Sequence, residues 1–209
     1  MGVRALPFLL VLPWLAGGPA GAGSITLGGI TFSDEHNGIT LLDGWGSGTT
    51  DDPFVLVEEI TDDGPAILTV RGLTWAFGNR IESHHATGFS LTKVVHNRTS
   101  SDWDLFDLEL RELIGDTSPY EDGLSFGQGS YAGRPFRSDG YGEAREIEEP
   151  FDGISFSGGS IPPGGTVAFT VVVTDTTPRP VFYLLQKRDR PLAGAAPGGP
   201  QMVAAPAED

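Results

Sequence analysis

Apolar and polar residues alternate with a period of two through the middle of the chain. In residues 166–175 the apolar side chains run from Val167 to Val173 on one face, with Thr170 and Thr174 on the other. Residues 88–96 repeat the scheme, with Phe89 on the apolar face. Because successive side chains of a strand point to opposite faces, both segments are predicted to be β-strands with one buried face.

Shorter runs rich in β-branched residues predict further strands at Phe54–Ile60, Ala66–Arg71 and Val181–Lys187, with weaker ones at 24–32, 39–45 and 154–156. Residues 61–65 read TDDGP, which favours a turn and predicts a hairpin between the strands on either side. Many short strands joined by turns predict an all-β fold. We expect an antiparallel β-sandwich, immunoglobulin-like or jelly-roll-like, formed as a single domain by residues 23–190.

Residues 103–114 fit two structures. At 3.6 residues per turn, Trp103, Phe106 and Leu110 share a helical face that Ser101 would cap. As a strand the segment needs a β-bulge near residues 104–106, but Leu105 and Leu108 then have something to pack on. We favour the strand.

Glycine and proline are abundant, with 30 and 16 residues among 209, and they suit turns better than helices. Residues 115–150 combine Gly, Ser, Tyr and charged residues. A stretch of this length without regular structure is usually functional or loosely ordered. Its one predicted element is a short edge strand at 125–130.

The N-terminus has the composition of an export signal. Arg4 precedes an apolar run at residues 5–16 and then a small-residue stretch that contains Ala20-Gly21-Ala22. This order predicts a secretory signal peptide over residues 1–22, and hence a periplasmic or extracellular location. No later run is long enough to span a membrane. Residues 191–209 are rich in Pro, Ala and Gly and are predicted to be a disordered tail.

Charge and cysteine content exclude several classes of protein. The formal net charge is -15, which argues against nucleic acid as a partner because phosphate binding requires clustered Lys and Arg. The chain has no cysteine, so it forms no disulfide, thiolate zinc site or catalytic thiol.

Three segments carry a resemblance to a known group of proteins. VVHNRTSSDWDLFDLEL at residues 94–110, FDGISFSGGSIPPGG at 151–165, and VAFTVVVTD followed by FYLLQ resemble exported bacterial β-sandwich domains of the PEP-CTERM, surface-sorted type. The resemblance implies a strand over residues 103–110. It implies no activity or catalytic residue. The C-terminal Pro-Glu-Pro signal and the hydrophobic anchor of that type do not occur in this sequence.

Candidate chemistry is sparse. His84 and His85 are adjacent in a predicted loop, where either imidazole is a candidate for metal binding or, beside a carboxylate, for hydrolysis. No H-E-x-x-H, serine nucleophile elbow or EF-hand calcium loop is present. Acidic pairs at 51–52, 62–63, 121–122 and 148–149 leave open a calcium-stabilised structural protein. No other cofactor is predicted.

Aromatic residues offer a second kind of site. Trp45, Trp75 and Trp103, together with tyrosines, are able to stack on sugars or peptides. Tyr120, Tyr131 and Tyr141 lie in the long predicted loop and are expected to be exposed. The leading hypothesis is therefore a non-catalytic binding module of the cell envelope or exterior, with a protein or glycan ligand held by His84, His85 and these tyrosines. A calcium-stabilised structural protein and a hydrolase using His84 or His85 are the alternatives.

Overall fold

A computed structural model of the chain describes residues 23–36, 38–127, 136–147 and 151–188. They contain strands, one 3-10 helix at Tyr120–Asp122 and no α-helix. The strands are β1 (Ser24–Leu27), β2 (Ile30–Ser33), β3 (Ile39–Trp45), β4 (Phe54–Ile60), β5 (Ala66–Arg71), β6 (Thr87–Asn97), β7 (Phe106–Arg111), β8 (Leu124–Phe126), β9 (Arg137–Ser138), β10 (Glu143–Ile147), β11 (Gly153–Ser157), β12 (Thr166–Asp175) and β13 (Val181–Lys187).

The strands form the two layers of a β-sandwich, which confirms the predicted fold class. Sheet A has the strand order β1-β2-β5-β13-β7-β11-β10, and sheet B has the order β3-β4-β6-β12-β8 with β9 also paired to β12. Neighbouring strands are antiparallel with one exception. β4 and β6 run parallel, with Phe54 aligned to Leu91, so sheet B is mixed rather than purely antiparallel.

The core lies between the sheets and follows the alternation in the sequence. On β12 the side chains of Val167, Phe169 and Val171 are fully buried, and on β7 those of Phe106 and Leu108 are. Phe106 of sheet A stacks on Phe169 of sheet B with ring centroids 4.3 Å apart. Fully burying such a side chain contributes about 1.5–3 kcal/mol. The two layers are therefore held together by large apolar side chains rather than by covalent cross-links between cysteines.

The predicted hairpin between β4 and β5 is wrong. β4 pairs with β3 and β6 in sheet B, whereas β5 pairs with β2 and β13 in sheet A. Residues 61–65 therefore cross from one sheet to the other. The guanidinium of Arg188 holds this crossover by donating to the carbonyl oxygens of Asp62, at 2.8 Å, and Gly64. Turn-forming residues mark where a strand ends, but they do not determine which sheet the next strand joins.

The segment at residues 103–114 contains a strand, as predicted, and not a helix. Trp103 forms an isolated bridge with Ile161, and β7 begins at Phe106. The change of parity lies between this bridge and β7, so the strand needs no bulge. Leu113 and Ile114 follow the strand and are exposed.

The segment at 115–150 contains more regular structure than its composition indicates. Within its described residues lie the 3-10 helix and the short strands β8, β9 and β10. The short edge strand predicted at 125–130 is found as β8, three residues long, at Leu124–Phe126. β8 pairs with the last residues of β12 at the edge of sheet B. Residues 128–130 lie outside the described part of the chain.

We call the end of the sandwich at which β6 finishes the closed end. There the side chain of Asn97, the last residue of β6, forms hydrogen bonds to neighbouring segments. Its Nδ2 donates to the carbonyl oxygens of Ser101 and Ile161, both at 2.9 Å. Its Oδ1 accepts from the backbone N–H and the hydroxyl of Thr99, at 3.0 and 2.7 Å. The Thr99 hydroxyl oxygen accepts in turn from Trp103 Nε1 at 3.1 Å. These residues belong to the segment that carries the family resemblance, and their role here is structural.

The predicted export signal at 1–22 and the predicted tail at 191–209 lie outside the described residues. Among the residues that the structure does describe, no helix is long and apolar enough to cross a membrane.

Candidate functional site

Opposite the closed end lies the loop end, which we define by the turn at 28–29 and the loops at 46–53, 72–86, 112–123 and 176–180. β3, β5, β7 and β12 finish there, while β4, β6, β8 and β13 begin there. Connecting segments placed on a rigid β-sandwich are the usual location of binding residues. The loop end is therefore where binding residues are expected.

Arg80 ties three of these segments together. Its guanidinium donates to the carbonyl oxygens of Ser47 and Gly28, both at 2.6 Å. It also lies 4.0 Å over the ring centroid of Phe77. Hydrogen bonds from a charged donor are stronger than neutral ones, and the aromatic face adds a cation–π attraction. Arg80 thus holds the 28–29 turn, the 46–53 loop and the 72–86 loop in one arrangement.

Two tryptophans are exposed on this framework. Trp75 has 69% of its surface accessible and lies in a turn closed by the bond from Phe77 N–H to Thr74 O, at 2.9 Å. Trp45 is 50% accessible and ends β3. An indole has a large flat face that stacks well, so exposed tryptophans on ordered loops are typical of recognition surfaces.

The loop that follows Trp45 is kept tight by a glycine. Gly46 has a φ of 99°, a conformation that favours glycine. A Cβ at this position would lie 2.0 Å from the carbonyl oxygen of Pro53. Any other residue at position 46 would therefore displace the loop and change the position of Trp45.

Asn79 organises the loop that carries the adjacent histidines. Its Nδ2 donates to Ser83 O at 2.6 Å and to His85 O at 3.0 Å. Its Oδ1 accepts from the backbone N–H groups of Ile81 and Ser83, at 3.1 and 3.2 Å. The loop is therefore ordered by a side chain rather than by a strand ladder.

The histidines themselves do not assemble a catalytic pair. Burial lowers the pKa of His85, against a smaller opposite effect of Asp175, so its ring is neutral at physiological pH. The Nδ1 of His85 is buried without a hydrogen-bond partner among the described residues. His36 Nε2 lies 3.7 Å from Glu35 Oε1. Among the described residues, neither His84 nor His85 lies within ion-pair distance of a carboxylate. The structure therefore offers little support for a hydrolytic dyad at His84 or His85.

Three carboxyl groups influence one another where β7, β8 and β12 meet. Glu112 Oε2 lies 2.9 Å from Arg179 Nε. Burial, and then the charges of Asp122 and Asp175, raise the pKa of Glu112 despite Arg179. Burial likewise raises the pKa of Asp175, although its Oδ1 accepts a hydrogen bond from the N–H of Thr177 at 2.8 Å. Desolvation of the carboxylates is the main cause of both shifts, and repulsion between the carboxylates adds to it.

These carboxylates do not form a metal centre. Throughout the described ranges, no three His, Asp or Glu side chains are grouped so that they could hold a metal ion. The acidic pair at 62–63 lies in the crossover at the closed end, the pairs at 51–52 and 121–122 lie at the loop end, and 148–149 is outside the described residues. Calcium stabilisation stays a prediction, to be checked by comparing thermal melting with calcium and with chelator.

The structure treats the three predicted tyrosines differently. Tyr141 was expected to be exposed, and that expectation is wrong. It is 6% accessible and its hydroxyl donates to Trp103 O at 2.8 Å in the closed end, and burial raises its pKa. Glycine-rich sequence around Tyr141 indicated a loop, but the chain places this ring against Phe169 of the core. Tyr120 begins the 3-10 helix at the loop end, and Tyr131 lies outside the described residues.

Sequence reasoning grouped Trp45 and Trp75 with Trp103 and favoured the tyrosines for exposure, whereas the structure exposes the first two tryptophans and buries the third. A signal was available for Trp75, which follows Gly72 and lies outside every alternating run. No sequence signal distinguishes Arg80 from any other loop arginine, because its partners are backbone carbonyls of distant segments.

The fold and the loop end define a class, namely a single β-sandwich domain that presents aromatic side chains on ordered loops. Comparison with protein-family models, with curated proteins and with solved structures found no match to this chain. Its function must therefore be argued from the site.

Proposed function

We propose that the protein is an exported, non-catalytic binding module whose loop end recognises a glycan of the cell envelope or exterior. The observation that carries the proposal is the exposure of Trp75, on a loop that Arg80 holds, and of Trp45, at the end of β3 next to another such loop. Ordered loops lose little conformational freedom on binding, so the stacking energy is retained as affinity. The signal-like sequence at residues 1–22 supports export.

A neutral or basic glycan suits this surface better than an anionic one. Sugar rings have flat C–H faces that stack on indole, while their hydroxyl groups bond to nearby polar atoms. The chain carries a net charge of -15, and Glu112, Asp122 and Asp175 lie at the same end as the tryptophans. Anionic polymers would be repelled. A protein ligand that buries the same two indoles is the alternative outcome.

The test is titration of the full chain with neutral, basic and acidic soluble polysaccharides, followed by calorimetry and tryptophan fluorescence. Trp75→Ala and Trp45→Ala are each expected to weaken binding by about two- to tenfold, since aromatic stacking contacts contribute about 0.5–1.5 kcal/mol each. Leu42→Ala is the matched control, because Leu42 is 48% exposed on β3 but is not aromatic.

Further variants test the remaining sequence-based candidates. Tyr120→Ala, Tyr131→Ala, His84→Ala and His85→Ala measure whether these residues extend the surface. Tyr141→Phe tests the fold and not the ligand, because Tyr141 is buried. Binding that survives the loss of both Trp45 and Trp75, or no binding to any glycan in the panel, would overturn the proposal.

Export is tested separately. Expression of the full chain in a bacterial host with a secretion pathway, followed by N-terminal sequencing of the periplasmic and extracellular fractions, is expected to yield a product starting near Gly23. An uncleaved product confined to the cytosol would contradict this part of the proposal.

A further inference from the structure

Two charged side chains lie in the core of the sandwich. Glu58 of β4 and Lys93 of β6 both have no solvent-accessible surface, and Lys93 Nζ is 2.7 Å from Glu58 Oε2. Both share the parity of their strands' buried faces, with Leu56 before Glu58 and Leu91 before Lys93. An amine and a carboxyl group are therefore held in contact where water does not reach.

The surroundings give this pair little other polar support. Apart from the ion-pair contact, neither oxygen of Glu58 nor Lys93 Nζ has an aligned hydrogen bond among the described residues. Across the core, the side chain of Gln186 points inward from β13, and its amide is also without a partner there. Ion pairs removed from water in this way suffer a large desolvation penalty.

Desolvation also changes the chemistry of the pair. Burial lowers the pKa of Lys93, although the charge of Glu58 opposes the shift. In the condensation the ammonium proton passes to a carboxyl oxygen of Glu58 and leaves a neutral amine, which is the form of Lys93 that a dry core favours. A neutral amine is a nucleophile, and an uncharged carboxyl carbon is an electrophile.

We propose that Lys93 and Glu58 condense to form an isopeptide cross-link between β4 and β6. In this step Nζ attacks Cδ of Glu58, and a new C–N bond forms. One C–O bond of the carboxyl group breaks, and the departing hydroxyl leaves as water after it takes a proton from the nitrogen. No oxidant, reductant or co-reactant is needed, and one water molecule is released for each cross-link.

Position and solvent exclusion favour this reaction over the persistent ion pair. β4 and β6 are hydrogen-bonded neighbours, with Leu56 aligned to Lys93 and Glu58 to Val95, so the reacting groups need no large movement to meet. Holding reactants in contact converts a bimolecular step into an effectively unimolecular one. The product also replaces two buried polar groups that lack other hydrogen-bond partners among the described residues, and it joins strands that are adjacent only through the fold.

The molecule contains an internal control for proximity. Lys187 Nζ and Glu109 Oε2 are 2.6 Å apart on sheet A, but Lys187 is 25% accessible. Because water reaches this lysine, we expect no condensation at this pair. Contact distance alone would treat the two pairs alike, whereas exclusion of water separates them.

The experiment is high-resolution mass measurement of the folded, purified full chain after denaturation, followed by proteolysis and fragmentation. The expected mass is lower than that of the sequence by one water molecule, with a fragment that joins Glu58 to Lys93. Lys93→Arg should restore the full sequence mass. Lys187→Arg should retain the deficit.

Several results would overturn the proposal. One is a wild-type mass equal to that of the full sequence, measured on protein that near-ultraviolet circular dichroism shows to be folded. This result does not depend on the folding of any variant. A deficit that survives Lys93→Arg is another. A deficit of one ammonia, without a fragment that joins Glu58 to Lys93, would also overturn it.

Discussion

Asn97 and Asn79 perform the same task at opposite ends of the sandwich. Each amide nitrogen donates to two backbone carbonyls. The Asn79 amide oxygen accepts from two backbone N–H groups, and that of Asn97 accepts from the N–H and the hydroxyl of Thr99. Asn97 is fully buried, and its bonds continue through Thr99 to Trp103. Asn79 is half-buried, and its loop leads to solvent-facing residues.

The hydrogen-bond networks of Asn97 and Asn79 differ in their burial and in the part of the structure that each one orders. A buried, fully satisfied network makes one arrangement of the chain much more stable than its alternatives, because any broken bond leaves a desolvated polar group. At the loop end the same bonds order segments that keep aromatic surface exposed. Disrupting the closed end should therefore lower the free energy of unfolding more than disrupting the loop end, whose hydrogen bonds hold an exposed aromatic surface in place.

The largest expected effect separates the two asparagines. Asn97→Ala removes two donated and two accepted hydrogen bonds from a fully buried site, and should lower the free energy of unfolding by about 4 kcal/mol. Asn79→Ala, where water replaces lost bonds, should lower it by about 1 kcal/mol. Urea unfolding followed by circular dichroism measures both. Equal losses would mean that burial does not distinguish the two ends.

Arg80→Met should have the next largest effect on stability. Its main consequence should be weaker ligand binding, because Arg80 holds the loops of the binding surface. The change keeps apolar contact with Phe77 but removes the bonds to Ser47 and Gly28, so we expect a loss of about 2 kcal/mol in stability. Hydrogen exchange should become faster in the 46–53 and 72–86 loops and stay unchanged at Asn97. Global unfolding without local loosening would show that Arg80 supports the core instead.

Tyr141→Phe should have a smaller effect at the closed end. It removes the 2.8 Å bond to Trp103 O, but that carbonyl still accepts from the N–H of Ile161 at 3.0 Å. We expect a loss of about 1 kcal/mol, and no change in glycan affinity. Reduced affinity would restore Tyr141 to the binding surface.

Asp175→Asn should have the smallest effect, with the opposite sign at neutral pH. Burial raises the pKa of Asp175 in the folded state, so its favourable contribution is present below its unfolded pKa and is lost as pH rises through the folded pKa. Asn keeps an acceptor for Thr177 and removes the charge. Thermal melting should show the variant slightly more stable at pH 7 and equal to wild type in acid. A variant that is less stable at pH 7 would mean that the charge is needed.

Strand positions were predictable because they depend on local alternation. β4, β5, β12 and β13 have the bounds that their sequences indicate, and β7 lies within the segment where strand was favoured over helix. Glu58 and Lys93 share the parity of the buried residues on β4 and β6, but their charge gave no indication in the sequence that they would be buried. Which strands pair with each other was harder to predict from the sequence, as the crossover at 61–65 shows.

The sequence by itself determined that this chain would form strands, which face of the alternating strands would be turned to the core, and that no thiol chemistry would contribute. Period-two alternation sets these features residue by residue, since a strand has only two faces. The tertiary structure alone decided that Tyr141 is buried while Trp45 and Trp75 are exposed, that Arg80 joins three loops, and that Lys93 meets Glu58. Each of these depends on contacts between segments far apart in the chain, and a local pattern contains no information about which distant segment will be adjacent.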